Sequence, residues 1–427
     1  MLIPARWLTV ALLNLAIAAA LGALLRFVFL HEVPGVEYRN VMHAHSHGAM
    51  LGWVFLALFA AYMQLAQPAA GRLRWYRRVF WAAEATVLGM FVAFSWQGYG
   101  AVSITLSTAH MLLSYGAVVL LWPDLRRQLA GRAALPYLLA GLGSVVVSTL
   151  GLWALAGIMS RPHPNTELYY LAIQFFLHFQ LNSWFAFGVL GLVLSYFEAQ
   201  QLPLHRGLLR RAFWLLVPST FLTYGLAVAW AERHPLVYAV TGVGVVLQLL
   251  GLATWLRAVW PAWLALLPRL SPLLRALWAV GLGSFAFKGL IHAAVAVPYV
   301  AVMAFTVRNY VIGFVHLVTL GATTLTLLGL LHQVGALHLQ RPAARVGAGL
   351  LLAGFLLTEA LLFVQGSMFW LNWSFLPHYY LLLLLASLPL PAGALLLLAS
   401  VRASRAEAAA PHGPRPNASL HPIRTAE

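Results

Sequence analysis

The sequence predicts an all-α integral membrane protein, a bundle of about twelve transmembrane helices. Three observations carry that prediction. Hydrophobic residues make up 62% of the 427 and charged residues only 8%, where soluble domains carry about 25% charge. Apolar stretches of about 20 residues, the length a helix needs to cross hydrocarbon, recur along almost the whole chain. Clusters of arginine fall in alternate connections, as short cytoplasmic loops require.

The expected spans are 7–30, 43–66, 76–97, 101–122, 135–158, 167–197, 212–231, 237–256, 274–297, 309–332, 346–366 and 378–400. Arg72, Arg74, Arg77 and Arg78 fall in the second connection, and Arg126, Arg127 and Arg132 in the fourth. Arg206, Arg210 and Arg211 fall in the sixth, Arg257, Arg269 and Arg275 in the eighth, and Arg341 and Arg345 in the tenth. Odd-numbered connections hold few charges, such as Glu32, Glu37 and Arg39, or Glu232, Arg233 and His234. This asymmetry predicts a multi-pass protein of a bacterial-type inner membrane with both termini cytoplasmic. The first span lacks a cleavage-type small-residue site and reads as a retained helix. One membrane domain is expected over residues 1–402, followed by a disordered cytoplasmic tail, 403–427, that is rich in Ala, Pro, Arg and His. No internal repeat is obvious, which weighs against a duplicated transporter architecture.

The net charge of +16 sits mostly in the basic connections and the tail, so anionic lipid headgroups are its expected partner. No nucleic-acid motif is present. The chain has no cysteine, which excludes disulfides, cysteine-ligated iron–sulfur clusters, covalent c-type haem and a thiolate-bridged copper centre.

Histidines carry the most specific signal. With even-numbered helices descending from the outside, His316 lies roughly 10 Å, His110 roughly 13 Å and His178 roughly 16 Å below the starts of their spans, at 1.5 Å per residue. His45 and His47 lie nearer the surface, and His292 rises toward the same face. A lone membrane histidine is more often a hydrogen-bonding link between helices than a ligand; six at or outside the midplane shift that balance toward metal or haem. His45 and His316 stand at similar depth on different helices, which suits two neutral imidazoles gripping one haem. Two such ligands leave no open position on the iron, the arrangement of an electron carrier. His43, His45 and His47 alternate, so at most one or two can face one cofactor, and a shift of two residues would exchange His45 for a neighbour. Arg39 and Arg308, at the outer ends of the same two helices, suit haem propionates through bidentate pairing, or interfacial anchoring by snorkelling.

Few charges lie inside the spans: Glu84, Lys288, which is the only lysine, and Glu359, with Arg26 close enough to an end to snorkel. Such groups are functional candidates because burying them in a membrane is costly. A protonated Glu bonded to a neighbouring helix is the plainer reading for Glu84 and Glu359.

Four short stretches resemble subunit I of the haem-copper oxidase superfamily, nearest its C-type oxidases and nitric oxide reductases. His45-Ser46-His47-Gly48-Ala49-Met50-Leu51-Gly52-Trp53 resembles the segment bearing one low-spin haem ligand, with His45 at that position. Tyr310-Val311-Ile312-Gly313-Phe314-Val315-His316 resembles the family's His-x-His motif. His316 matches its low-spin ligand, and Phe314 stands where the high-spin haem ligand would be. Phe175 to Gly191 resembles the segment with a non-haem-metal histidine, here His178. Ala229 to Pro235 resembles the stretch ending in a histidine pair, with His234 as the first and Pro235 replacing the second.

The resemblance implies a twelve-helix bundle like that subunit, with one low-spin haem b between the second and tenth helices. It also implies a degenerate oxygen-reducing centre, since phenylalanine cannot ligate iron. His178 and His234 would be a residual copper site, poor without a third ligand, and His110 or His292 would be recruits for a rebuilt metal site. Three functions follow as expectations. The first is a b-type cytochrome of the respiratory chain, moving electrons from a redox partner protein or quinol or sensing redox state or a gas. The second is an active oxidase or nitric oxide reductase with a rebuilt centre holding copper or a second haem. The third is a copper or haem transport or assembly factor, with Met50, Met159, Met303 and Met368 as soft sites.

Overall fold

Helix ends follow the local chemistry of the chain. Proline stands in the first turn of helices starting at Pro235, Pro272 and Pro342, where its missing N–H costs nothing. Asn165 and Ser271 cap two starts by accepting from the N–H groups of Leu168 and Leu274. Gly98, at φ +60°, makes the tight turn between the third and fourth helices, a backbone shape that favours glycine.

The structure is a computed structural model that describes residues 4–163, 165–229 and 234–409, with side chains to 402. Twelve helices among these are long and apolar enough to cross a membrane. They are α1 (Ala5–Phe27), α2 (Tyr38–Ala66), α3 (Ala70–Gln97), α4 (Ala101–Gln128), α5 (Ala134–Met159) and α6 (Thr166–Ala199), then α7 (Arg206–Val228), α8 (Pro235–Arg269), α9 (Pro272–Val295), α10 (Arg308–Gln333), α11 (Pro342–Trp370) and α12 (Tyr379–Arg402). There is no strand among the described residues. The protein is an all-α multi-pass membrane bundle, as the hydropathy predicts.

Three differences from the sequence reading have physical causes. Most arginines assigned to loops lie inside helices: Arg72, Arg74, Arg77 and Arg78 open α3, and Arg126 and Arg127 close α4. Helices outlast the apolar stretch because arginine stems cover apolar surface while the heads reach water. Arg72 Nε donates to Asp124 Oδ2 at 2.9 Å and the Tyr76 hydroxyl donates to the same oxygen at 2.9 Å, tying α3 to α4. Secondly, a short helix, Pro298–Thr306, fills the connection before α10. Thirdly, the last helix runs to Ala409, past the expected start of a disordered tail at 403, in keeping with the helix propensity of Ala403, Ala406, Ala408 and Ala409. The rest of the expected tail, and Trp230 to Arg233 with the charges Glu232 and Arg233, lie outside the described residues.

Packing repeats three times along the chain, an order the sequence does not advertise. α1 packs on α2, α5 on α6 and α9 on α10; α3 pairs with α4, α7 with α8 and α11 with α12; and α4–α5, α8–α9 and α12–α1 close the ring. The second helix of each set, α2, α6 or α10, stands at the centre. In these three, 78%, 94% and 67% of the most apolar window is buried, against 28 to 50% for the other nine.

Each central helix widens into a π-helical segment: Gly48–Phe55, Gln180–Phe185 and Leu317–Leu325. Such segments are uncommon and are frequent at functional sites. Two of them meet at a buried hydrogen bond, Trp53 Nε1 donating to Thr324 Oγ1 at 2.7 Å. The Thr324 hydroxyl donates in turn to the Thr319 carbonyl at 2.7 Å, inside its own widened turn.

Candidate functional site

The three π segments begin just after His45 and His47, His178, and His316. A widened turn rotates the residues that follow it relative to those before, and so aims the preceding side chain independently of the helix's packing face. His45 and His316 meet between α2 and α10, with ring centroids 6.4 Å apart and ring planes at 82°. Two metal–nitrogen bonds of about 2.0–2.1 Å, plus the distance from each nitrogen to its ring centre, put bis-imidazole centroids roughly 6.3 Å apart. The observed spacing leaves room for one metal ion between the rings.

The surroundings of the two rings differ. His45 Nδ1 donates to the Ala18 carbonyl of α1 at 2.7 Å, which fixes the ring and leaves Nε2 as the nitrogen that could ligate. Gly22, one turn on, gives that ring room: a Cβ there would stand 3.0 Å from His45 Cε1. His316 Nδ1 lies 3.9 Å from Glu359 Oε1 of α11. It is buried without a hydrogen bond, as are both Glu359 carboxyl oxygens. Its side chain keeps 20% exposure although its helix is central.

The expected propionate partners stand farther out. Arg39 and Arg308 are both exposed, and Arg308 Nη2 approaches Met42 Sδ at 3.2 Å. Arg26 is the charge that the sequence reading undervalued as a snorkelling anchor. It lies within Coulombic range of Arg308, Tyr38, Tyr379 and Glu359, on the same side as the His45–His316 pair. Its placement beside the pair depends on the packing of α1 against α2, for which the sequence held no signal.

The remaining candidates are distributed elsewhere. His178 is buried between α6 and α7, its Nε2–H donating to the Thr220 carbonyl at 2.8 Å and its Nδ1 accepting from Asn182 Nδ2 at 3.1 Å. Both nitrogens are thus engaged. His234 is exposed at the start of α8, where its Nδ1 accepts from the Leu236 N–H at 3.2 Å. A buried ring with both nitrogens engaged and an exposed capping ring do not make the residual copper pair that the resemblance implies. His292 donates from Nδ1 to Gln248 Oε1 at 2.8 Å and stacks on Phe314, centroids 5.4 Å apart. His110 bonds Thr86 Oγ1 at 2.9 Å through Nδ1, while its Nε2 is buried without a partner. Among the described residues no three His, Cys, Asp or Glu side chains cluster as a metal site.

His43 and His47 turn away from the haem candidate. His47 stacks on Phe94 with centroids 4.2 Å apart, and His43 meets the edge of Tyr99 at 4.5 Å. Of the alternating three, only His45 faces His316, which the sequence left open. Glu84 takes the plainer role expected of it, its Oε2 accepting from Asn14 Nδ2 at 2.7 Å. No protein-family model matches the chain, and no curated protein sequence matches it.

Proposed function

We propose that this protein is a membrane b-type cytochrome of haem-copper oxidase subunit I ancestry, holding one low-spin haem b between His45 and His316 and passing electrons. The observation that carries this reading is the 6.4 Å spacing of two imidazoles from different central helices. An orienting carbonyl behind one ring and an unpartnered carboxyl behind the other support it further. His45 and His316 would ligate the iron, which supplies one-electron chemistry when bound. Ala18 and Glu359 would orient the ligands, and Arg26, with Arg39 and Arg308 beyond it, would neutralise the propionates.

The engaged nitrogens of His178 and the phenyl ring at Phe314 favour a single haem over a rebuilt oxygen- or nitric oxide-reducing centre. The alternation of arginine-rich ends supports a bacterial-type inner membrane with cytoplasmic termini, a basic face toward anionic lipid, and a quinol or a redox protein as electron donor. Haem stoichiometry and reduced-minus-oxidised spectra of the purified full chain test this. The reading expects one protoporphyrin haem per chain with a low-spin spectrum unmoved by carbon monoxide. Protein without a Soret band would contradict it, and two haems with a carbon monoxide response would favour the enzymatic reading.

A further inference from the structure

Lys288 is the only lysine in the chain and is 5% exposed, deep in α9. Among the described residues its ammonium has neither a hydrogen bond nor an ion pair. A buried cation left unpaired is strongly disfavoured unless something compensates it. The group lines a partly open cavity between α6, α7, α8 and α9, together with Asn182, Ser219, Thr220 and Gln248. That cavity has about 20 Å³ of free volume, more than the about 10 to 15 Å³ that one water needs.

The polar groups around it are turned by their other bonds. His292 donates to Gln248 Oε1, which leaves the Gln248 amide N–H groups as the uncommitted end. Asn182 gives its amide nitrogen to His178, and its Oδ1 is buried with no partner. The Ser219 and Thr220 hydroxyls donate to the Leu216 carbonyl at 2.7 and 3.0 Å. The cavity therefore offers the Lys288 amine and the free Gln248 N–H groups as donors, beside the Ser219 and Thr220 oxygens, whose protons are already given.

We infer that this cavity binds a small monovalent oxyanion of the formate, nitrite or bicarbonate class. Lys288 is its counter-ion and Gln248 its second donor. The site is separate from the His45–His316 pair and stands whether or not haem is bound there.

Calorimetric titration of the purified full chain in detergent, with sodium formate and sodium nitrite at constant ionic strength, tests the assignment. Saturable binding at one site per chain is expected, with Lys288→Met reducing affinity at least about tenfold and Gln248→Leu at least about threefold. If Lys288→Met does not fold, Gln248→Leu, which keeps the cation, decides alone. Absence of saturable binding in the parent protein, or unchanged affinity in the folded variants, overturns it.

Discussion

His316 and His178 stand at matching places on central helices, each just ahead of a π segment, yet their ring nitrogens are used in opposite ways. His178 has both nitrogens bound, to the Thr220 carbonyl and the Asn182 amide. His316 has an unbonded Nδ1 facing a carboxyl at 3.9 Å and a second imidazole 6.4 Å away on the other side. The same helix distortion thus serves a closed polar core at one place and an uncommitted imidazole at the other. A π segment marks where a side chain is aimed; the neighbouring helix decides whether that side chain stays available.

The sharpest way to break the comparison is to remove each ring. His45→Ala and His316→Ala should each abolish the low-spin haem spectrum, while His178→Ala should retain it at full stoichiometry. Equal behaviour of all three would erase the distinction. A smaller effect is expected at Gly22, where Val would press on the His45 ring; overpacking of this kind costs about 1 to 3 kcal/mol. Haem retention during dilution in detergent should fall accordingly, whereas Gly283→Val, at a glycine with nothing near its Cβ position, should leave it unaltered.

On the other side of the comparison, His178→Phe should leave haem in place but lower unfolding stability by about 1 to 3 kcal/mol, because it strands the Thr220 carbonyl and the Asn182 amide. Denaturant titration in detergent reads this, and unaltered stability would mean those bonds are idle. The smallest effect concerns Glu359. With haem bound, the Glu359 carboxyl, 3.9 Å from His316 Nδ1 and unbonded, would have to close on the ring and accept its N–H; such an acceptor raises a ligating imidazole's basicity and favours the oxidised metal. Glu359→Leu should therefore raise the haem reduction potential, by about 60 mV for a tenfold change in a one-electron equilibrium, and Glu359→Gln should recover most of the parent value in a redox titration.

The bundle itself was legible in the sequence because membrane hydropathy is a local, additive property; each of the twelve spans announces itself in about 20 residues. Their ends were less so, since Arg72 and Arg126 sit on helical turns that continue past hydrocarbon. Motif resemblance singled out His45 and His316, while choosing His45 over His43 and His47 needed the rotation of α2 about its axis. That rotation depends on tertiary packing. The threefold recurrence of the packing shows in residue identities only as a histidine ahead of each π segment, and the segments themselves open differently, on Gly48, Gln180 and Leu317. Lys288 was visible as a lone intramembrane charge; the groups that turn its surroundings into a cavity come from three other helices and could be joined to it only in space.

The central claim is that His45 and His316 grip one iron, and electron paramagnetic resonance of the oxidised full chain tests it most directly. Ring planes at 82° predict a strongly anisotropic low-spin ferric signal, of the kind given by near-perpendicular axial imidazoles, that disappears in His316→Ala. A haem-loaded protein showing only a high-spin ferric signal, or a low-spin signal that survives that substitution, would contradict it.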